Sequence, residues 1–109
     1  MLFRSLGAKR VTRIATDDQG RMQIAPLEVA LKKSSGPCLV VTQAGQLNTG
    51  GFDPFEDIVP LARSRRAWVH VDGAFGLWAR LVPALRGQTT GIDGANSWAT
   101  DGHKWLQTP

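Results

Sequence analysis

Two short apolar runs, Cys38-Leu39-Val40-Val41-Thr42 and Ala67-Trp68-Val69-His70-Val71-Asp72, dominate the middle of the chain, and the residues between them are patterned as a helix. The first run is continuous and closed off by turn residues, which suits a strand buried on both faces of a parallel sheet. Between the runs, Phe55, Ile58, Val59 and Ala62 recur at helical spacing. Asp53 is expected to cap that helix and Pro54 to open it as its first helical residue. Pro60 falls inside it and is expected to kink it, because proline removes one helical hydrogen bond. Strand, helix, strand in this order is the crossover unit that parallel strands require. The fold class that follows is α/β, with a mostly parallel sheet.

The flanks extend the same alternation. Residues 2–7 read as the end of a helix with Gly7 as its stop signal, and residues 10–15 as a short strand. Asp17-Asp18-Gln19-Gly20 is a turn. Pro26 to Lys33 reads as a helix with Leu27, Ala30 and Leu31 on one face, broken by Ser34-Ser35-Gly36-Pro37. Gly73-Ala74-Phe75-Gly76 is a loop, and Ser97 to Thr100 a last short strand. No repeat, linker or low-complexity segment divides the 109 residues, so one domain at most is expected.

Composition narrows the function classes. With 42% hydrophobic and 20% charged residues the chain is not of disordered type. No apolar run approaches the ~20 residues of a membrane helix. Charge arrives too early after Met1 for a secretory signal. Cys38 stands alone, so neither an internal disulfide nor a multi-cysteine zinc site is available, and a cytoplasmic location is expected. The net charge of +4 is concentrated in residues 1–36, where Arg4, Lys9, Arg10, Arg13, Arg21, Lys32 and Lys33 outnumber three acidic residues. These charges are scattered among apolar residues with no aromatic ladder beside them, a solvated surface rather than a nucleic-acid or membrane footprint. A non-catalytic basic α/β binding module is the competing reading from another class.

In parallel sheets, ligands gather at the carboxyl ends of the strands. Three polar clusters occupy such ends here: Gln43–Gly51, Asp72–Gly76 and Asp101–Lys104. Asp72 ends an apolar strand and precedes two small residues, so its carboxylate could orient a cation or a protonated ring nitrogen, or simply cap a turn. Lys104 lies beside Trp105 and Leu106. Apolar surroundings disfavour an ammonium and expose a nucleophilic amine, the requirement of a Schiff-base lysine, although a packed stem on a surface lysine gives the same pattern. His70 and Asp72 share one face of a strand, but nothing in the sequence brings His103 to them as a third metal ligand, and no metal is expected. Neither a Gly-x-Ser-x-Gly elbow nor a phosphate loop of standard spacing is present.

His70-Val71-Asp72-Gly73-Ala74-Phe75-Gly76, followed by Ser97-Trp98-Ala99-Thr100-Asp101-Gly102-His103-Lys104-Trp105-Leu106, resembles the group II pyridoxal-phosphate-dependent amino acid decarboxylases, a family that includes the aromatic-amino-acid and glutamate decarboxylases. The stretch from Gln43 to Pro54 is similar to the family's segment between two strands, and the three motifs agree in order and separation. The resemblance implies a part of the large domain of a fold type I, aspartate-aminotransferase-like enzyme. It implies pyridoxal 5'-phosphate as cofactor, an amino acid as substrate, decarboxylation as the reaction, and a homodimer as the assembly.

By the same resemblance Lys104 matches the lysine that forms the Schiff base, and Asp72 the carboxylate that holds the protonated ring nitrogen. Ala74 matches the small residue packed on the ring, and His103 the histidine near the cofactor and its phosphate. Asp101 stands where many members place an asparagine on the phosphate, and an ionised carboxylate is unfavourable there. Asn48 or Thr49 matches the stretch that supplies a threonine contact. Gly73 replaces a commoner alanine. Residues 1–109 are expected to be a fragment of the cofactor-binding domain with no second domain, inactive in isolation. An aminotransferase or a carbon–carbon lyase of the same superfold is the nearer alternative.

Overall fold

The computed structural model describes residues 6–109. The elements are α1 (Ile24–Lys33), β1 (Leu39–Gln43), α2 (Phe55–Ser64), β2 (Trp68–Asp72) and β3 (Ser97–Ala99). The strands form a parallel sheet in the order β1-β2-β3. The connection from β2 to β3 runs through short 3-10 turns at Leu77–Leu81, Arg86–Thr89 and Ile92–Gly94. The expected α/β class and parallel sheet are therefore observed. No helix among the described residues is long and apolar enough to cross a membrane.

The core lies on one face of the sheet. Leu27 and Leu31, one turn apart on α1, meet Phe55, Ile58, Val59 and Ala62 of α2 over Val40, Val69 and Val71. Ile92 and Ala95 close the end of this layer. The expectation that β1 is buried on both faces is corrected. Val40 and Thr42 are buried while Leu39 is exposed and Val41 half-buried, and β2 repeats the alternation. The cause is that the buried layer from α1 and α2 faces Val40, Thr42, Val69 and Val71. The side chains of Leu39, Val41, Trp68 and His70 leave the other face of the pleat.

Three further expectations change. Residues 11–15 form no strand. Their half-buried positions are Val11 and Ile14, three residues apart rather than two, so no pleated face develops. Only an antiparallel bridge between Thr16 and Met22 forms, closing the turn at Asp17–Gly20. Helix α1 begins at Ile24, two residues before the expected start; Pro26 is tolerated because the first helical residues have N–H groups with no intrahelical partner. Helix α2 begins at Phe55 with Pro54 as its flanking residue, and the Asp53 side chain does not cap it. The helix continues past Pro60 to Ser64. The helix end expected over residues 2–7 falls mostly outside the described residues; Gly7, expected to stop it, has a φ of 78° and leads into a 3-10 turn at Ala8–Arg10.

Candidate cofactor site at the carboxyl ends of the strands

The pairing register sets Gln43, Asp72 and Ala99 abreast, so the three strands end level and their loops leave together. The loops are then joined by backbone. Ala44 N–H donates to Asp72 O at 2.9 Å, and Gly73 N–H to Ala99 O at 2.8 Å. A Cβ on Gly45, whose φ is 80°, would stand 3.0 Å from the backbone of Gly76. Gly73 is required by this packing, since a Cβ there would meet Leu77 Cβ at 2.6 Å and Ala99 O at 2.9 Å.

Asp72 is half-buried at the end of β2, and its Oδ1 accepts Ala74 N–H at 3.2 Å. No donor among the described residues reaches Oδ2. One oxygen is thus fixed to the turn and the other is free for a ligand's N–H, with Ala74 beside it. Two residues earlier on the same face, His70 Nδ1 lies 2.8 Å from Ser97 Oγ, which also accepts the Trp68 indole N–H at 2.9 Å. The indole can only donate, so the Ser97 hydroxyl hydrogen remains available to His70 Nδ1.

Lys104 reaches this edge from the segment after β3. Its side chain is 24% exposed, Nζ lies 3.6 Å from the centroid of the Phe75 ring, and Asp101 Oδ2 is 2.7 Å away. An ammonium over an aromatic face is attracted by the ring quadrupole. Phe75 therefore ties Lys104 to the turn that begins at Asp72. His103 is exposed, with Nε2 3.8 Å from the same Asp101 oxygen. The Lys104 ammonium, through its hydrogen bond, holds the Asp101 carboxyl below the usual carboxylate range. The structure thus brings Asp72, Ala74, Asp101, His103 and Lys104 to one edge of the sheet.

Asn48 and Thr49 are bonded elsewhere. Both backbone N–H groups donate to Gln46 Oε1, and the Thr49 hydroxyl donates to Gln19 O at 2.6 Å. Thr49 is thus tied to the Asp17–Arg21 turn, while the start of the same loop, at Ala44 and Gly45, packs against Asp72 and Gly76. Two contributors escape the sequence reading. Phe75, a lone aromatic between small residues directly after Asp72, is the detectable one. Asp53 is the other: Oδ1 accepts Met22 N–H and Oδ2 accepts Gln43 N–H, each at 2.7 Å, which fixes the residue preceding the first loop.

The model of the pyridoxal-dependent decarboxylase conserved domain matches residues 3–109. The chain belongs to the pyridoxal-dependent decarboxylase family. It is 32% identical over 104 residues to an aromatic-L-amino-acid decarboxylase of Bacillus atrophaeus, covering 92% of this chain and 22% of that protein. It is 36% identical over 103 residues to an L-2,4-diaminobutyrate decarboxylase of Rhizobium meliloti, covering 91% of this chain and 21% of the relative. Its fold is similar to the crystal structure of mouse CSAD, with a TM-score of 0.85 and 34% identity over 97% of this chain and 23% of that one. The chain therefore spans about a fifth of the length of the curated relatives it matches.

The donor set fits the family's cofactor. A free carboxylate oxygen at Asp72, a small residue at Ala74 and a part-buried amine at Lys104 are what a flat, aldehyde-bearing pyridine asks of a protein surface.

Proposed function

We propose that this chain supplies the cofactor lysine, Lys104, and the ring-nitrogen carboxylate, Asp72, of a pyridoxal-phosphate-dependent carboxy-lyase acting on an amino acid. One observation carries the reading: the Lys104 amine rests on Phe75, in the turn that leaves Asp72, at the level carboxyl edge of parallel strands. Family membership supports the cofactor, and the names of the relatives, all decarboxylases of amino acids among those given above, support the reaction and substrate class.

When bound, pyridoxal phosphate supplies an electron sink for the carbanion left by a departing carboxylate. This chain's residues supply the rest. Asp72 is fixed by Ala74 N–H through Oδ1 and offers Oδ2 to a protonated ring nitrogen, a charge-assisted bond that favours the protonated form. Ala74 leaves room for a flat ring close to the backbone. Lys104 brings an amine that anchors the ligand. Gly73 and Gly76 let the turn lie against β3 and the first loop, so the carboxylate and amine are held on strand ends rather than on a free loop.

The chain has four lysines, Lys9, Lys32, Lys33 and Lys104, which makes the assignment testable by position. After incubation with pyridoxal 5'-phosphate and reduction with borohydride, peptide mass spectrometry is expected to find the pyridoxyl group on Lys104 ahead of the other three. Labelling of Lys9, Lys32 or Lys33 in preference to Lys104 overturns the reading.

A further inference from the structure

Strand β3 is only three residues long, yet the segment that carries Lys104 leaves from it. Among the described residues it pairs with β2 alone, setting Ser97 beside His70, Trp98 beside Val71 and Ala99 beside Asp72. So short a strand has few backbone bonds to hold it, and side chains add to them. Asn96 N–H donates to Val69 O at 2.9 Å, and Asn96 Oδ1 accepts Val69 N–H at 2.8 Å. Ser97 Oγ is bonded to two side chains of β2 at once, the Trp68 indole N–H at 2.9 Å and His70 Nδ1 at 2.8 Å.

The direction of those two bonds follows from the donors. The indole N–H can only donate, so it occupies one lone pair of Ser97 Oγ. The hydroxyl hydrogen then needs an acceptor, and His70 Nδ1 is the acceptor that lies against Ser97 Oγ among the described residues. With Nδ1 accepting, all three groups are satisfied and the ring proton of His70 sits on Nε2. With a proton on Nδ1, the hydroxyl hydrogen is left without a protein partner. The neighbour of His70 on β1 is Val41, whose side chain offers neither donor nor acceptor.

We infer that Ser97 is a positioning residue: by joining Trp68 and His70 it fastens the strand that leads to Lys104 against the strand that ends in Asp72, and it holds the His70 ring proton on Nε2. This role rests on the reading of Lys104 and Asp72 as two anchors of one ligand, and Ser97 fixes the spacing between them. Ala99 lies abreast of Asp72, and only residues 100–103 separate it from Lys104, so a sideways shift of β3 moves the amine relative to the carboxylate. A ligand held at two points is sensitive to that shift, because misplacing one anchor forfeits the benefit of the other.

Long-range proton–nitrogen NMR of the imidazole reads the His70 tautomer in the 109-residue chain. Peptide mass spectrometry after pyridoxal 5'-phosphate and borohydride reads the preference for Lys104 over Lys9, Lys32 and Lys33. In the parent chain the His70 proton is expected on Nε2. Ser97→Ala removes the shared oxygen. It is expected to leave His70 as a mixture of tautomers, to speed hydrogen exchange at the Gly73 amide, which donates to Ala99 O, and to lower the preference for Lys104 roughly two- to tenfold, the size of one net hydrogen bond. Ser97→Thr keeps the hydroxyl and is expected to restore all three. Trp68→Phe removes the indole donor and frees the hydroxyl to accept from Nδ1–H, so mixed tautomers are expected there too. A parent His70 with its proton on Nδ1, a Ser97→Ala chain with unchanged tautomer or unchanged preference, or a Ser97→Thr chain that behaves like alanine overturns the role of Ser97. If Ser97→Ala unfolds the chain, parent-like behaviour of Ser97→Thr together with mixed tautomers in Trp68→Phe supports the role, and any other pair of results refutes it. A preferred Lys104 in the parent leaves the lysine assignment standing whatever Ser97 does, whereas no preference in the parent refutes that assignment and this role together.

Discussion

Replacing Asp53 tests whether a single carboxylate anchors the first loop of the site. Asp53 is 7% exposed, and its two oxygens accept Met22 N–H and Gln43 N–H, each at 2.7 Å. Alanine leaves both N–H groups without their partner. Each such loss costs about 1–3 kcal/mol, so Asp53→Ala is expected to lose ~2–6 kcal/mol, a large share of the roughly 5–15 kcal/mol that holds a small domain together. Asparagine keeps one acceptor and turns an NH2 group toward the other N–H, and is expected to cost about half as much. Burial pushes the Asp53 carboxyl above its ordinary value of 3.8, against the pull of the two N–H groups. A group raised in the fold adds stability that is complete below its unfolded value and is lost as pH rises through the folded one. The advantage of the parent chain over Asp53→Asn is therefore expected to be greatest in acid and to narrow as pH rises above 3.8. Urea unfolding followed by tryptophan fluorescence at several pH values measures this, with hydrogen exchange at the Met22 and Gln43 amides as the local readout. An unchanged midpoint for Asp53→Ala, with both amides still protected, would show that the carboxylate anchors nothing.

Asp72→Asn in the cofactor-loaded enzyme is expected to lower turnover about 10- to 200-fold, the equivalent of one charge-assisted hydrogen bond in the transition state, with cofactor content little changed; full turnover at full occupancy would make Asp72 a turn residue only. Gly45→Ala places a Cβ at a φ of 80° and 3.0 Å from Gly76, and is expected to cost ~1–3 kcal/mol in urea unfolding; an unshifted midpoint would mean that the two loops are not packed as described. Ile58→Ala removes a fully buried side chain from the layer over the sheet and is expected to cost ~2–5 kcal/mol, whereas a loss below 1 kcal/mol would place Ile58 at a surface.

The strands and the helix between them were legible because each carries its own local signature. Val40 and Val41 sit in an unbroken apolar run, Ile58, Val59 and Ala62 repeat at helical spacing, and turn residues separate the two patterns. Asp53 was misread for the opposite reason. A carboxylate before Pro54 and a helical run looks like a cap whether or not it caps, and its real partners lie 31 and 10 residues away along the chain. Only the fold brings Met22 and Gln43 together. Phe75 and Lys104 are similarly distant in sequence, so the aromatic seat of the lysine could not be read from either segment alone. The connection from β2 to β3 was also opaque, because isolated 3-10 turns are too short to impose a period on the sequence.

Why the site forms where it does follows from register and glycine together. A parallel pairing that sets Gln43, Asp72 and Ala99 abreast sends three chain exits out at one height. Ordinary side chains at those exits would push the loops apart. A Cβ at Gly76 would meet Ala44 O at 2.6 Å and the Phe52 ring at 2.7 Å, and one at Gly73 would meet Ala99 O at 2.9 Å. Glycine removes those obstacles, so backbone meets backbone and the side chains that remain, Asp72 and Phe75, have short, fixed stems. A short carboxylate on a strand end loses little conformational freedom when it binds a ligand. Lys104 is the contrary case: four flexible carbons carry its amine, and ordering them is costly. Asp101 and Phe75 offset part of that cost before any ligand arrives, because the amine already has a charge partner and a ring to lie on. Taking away either partner should therefore be felt at Lys104 before it is felt in the sheet.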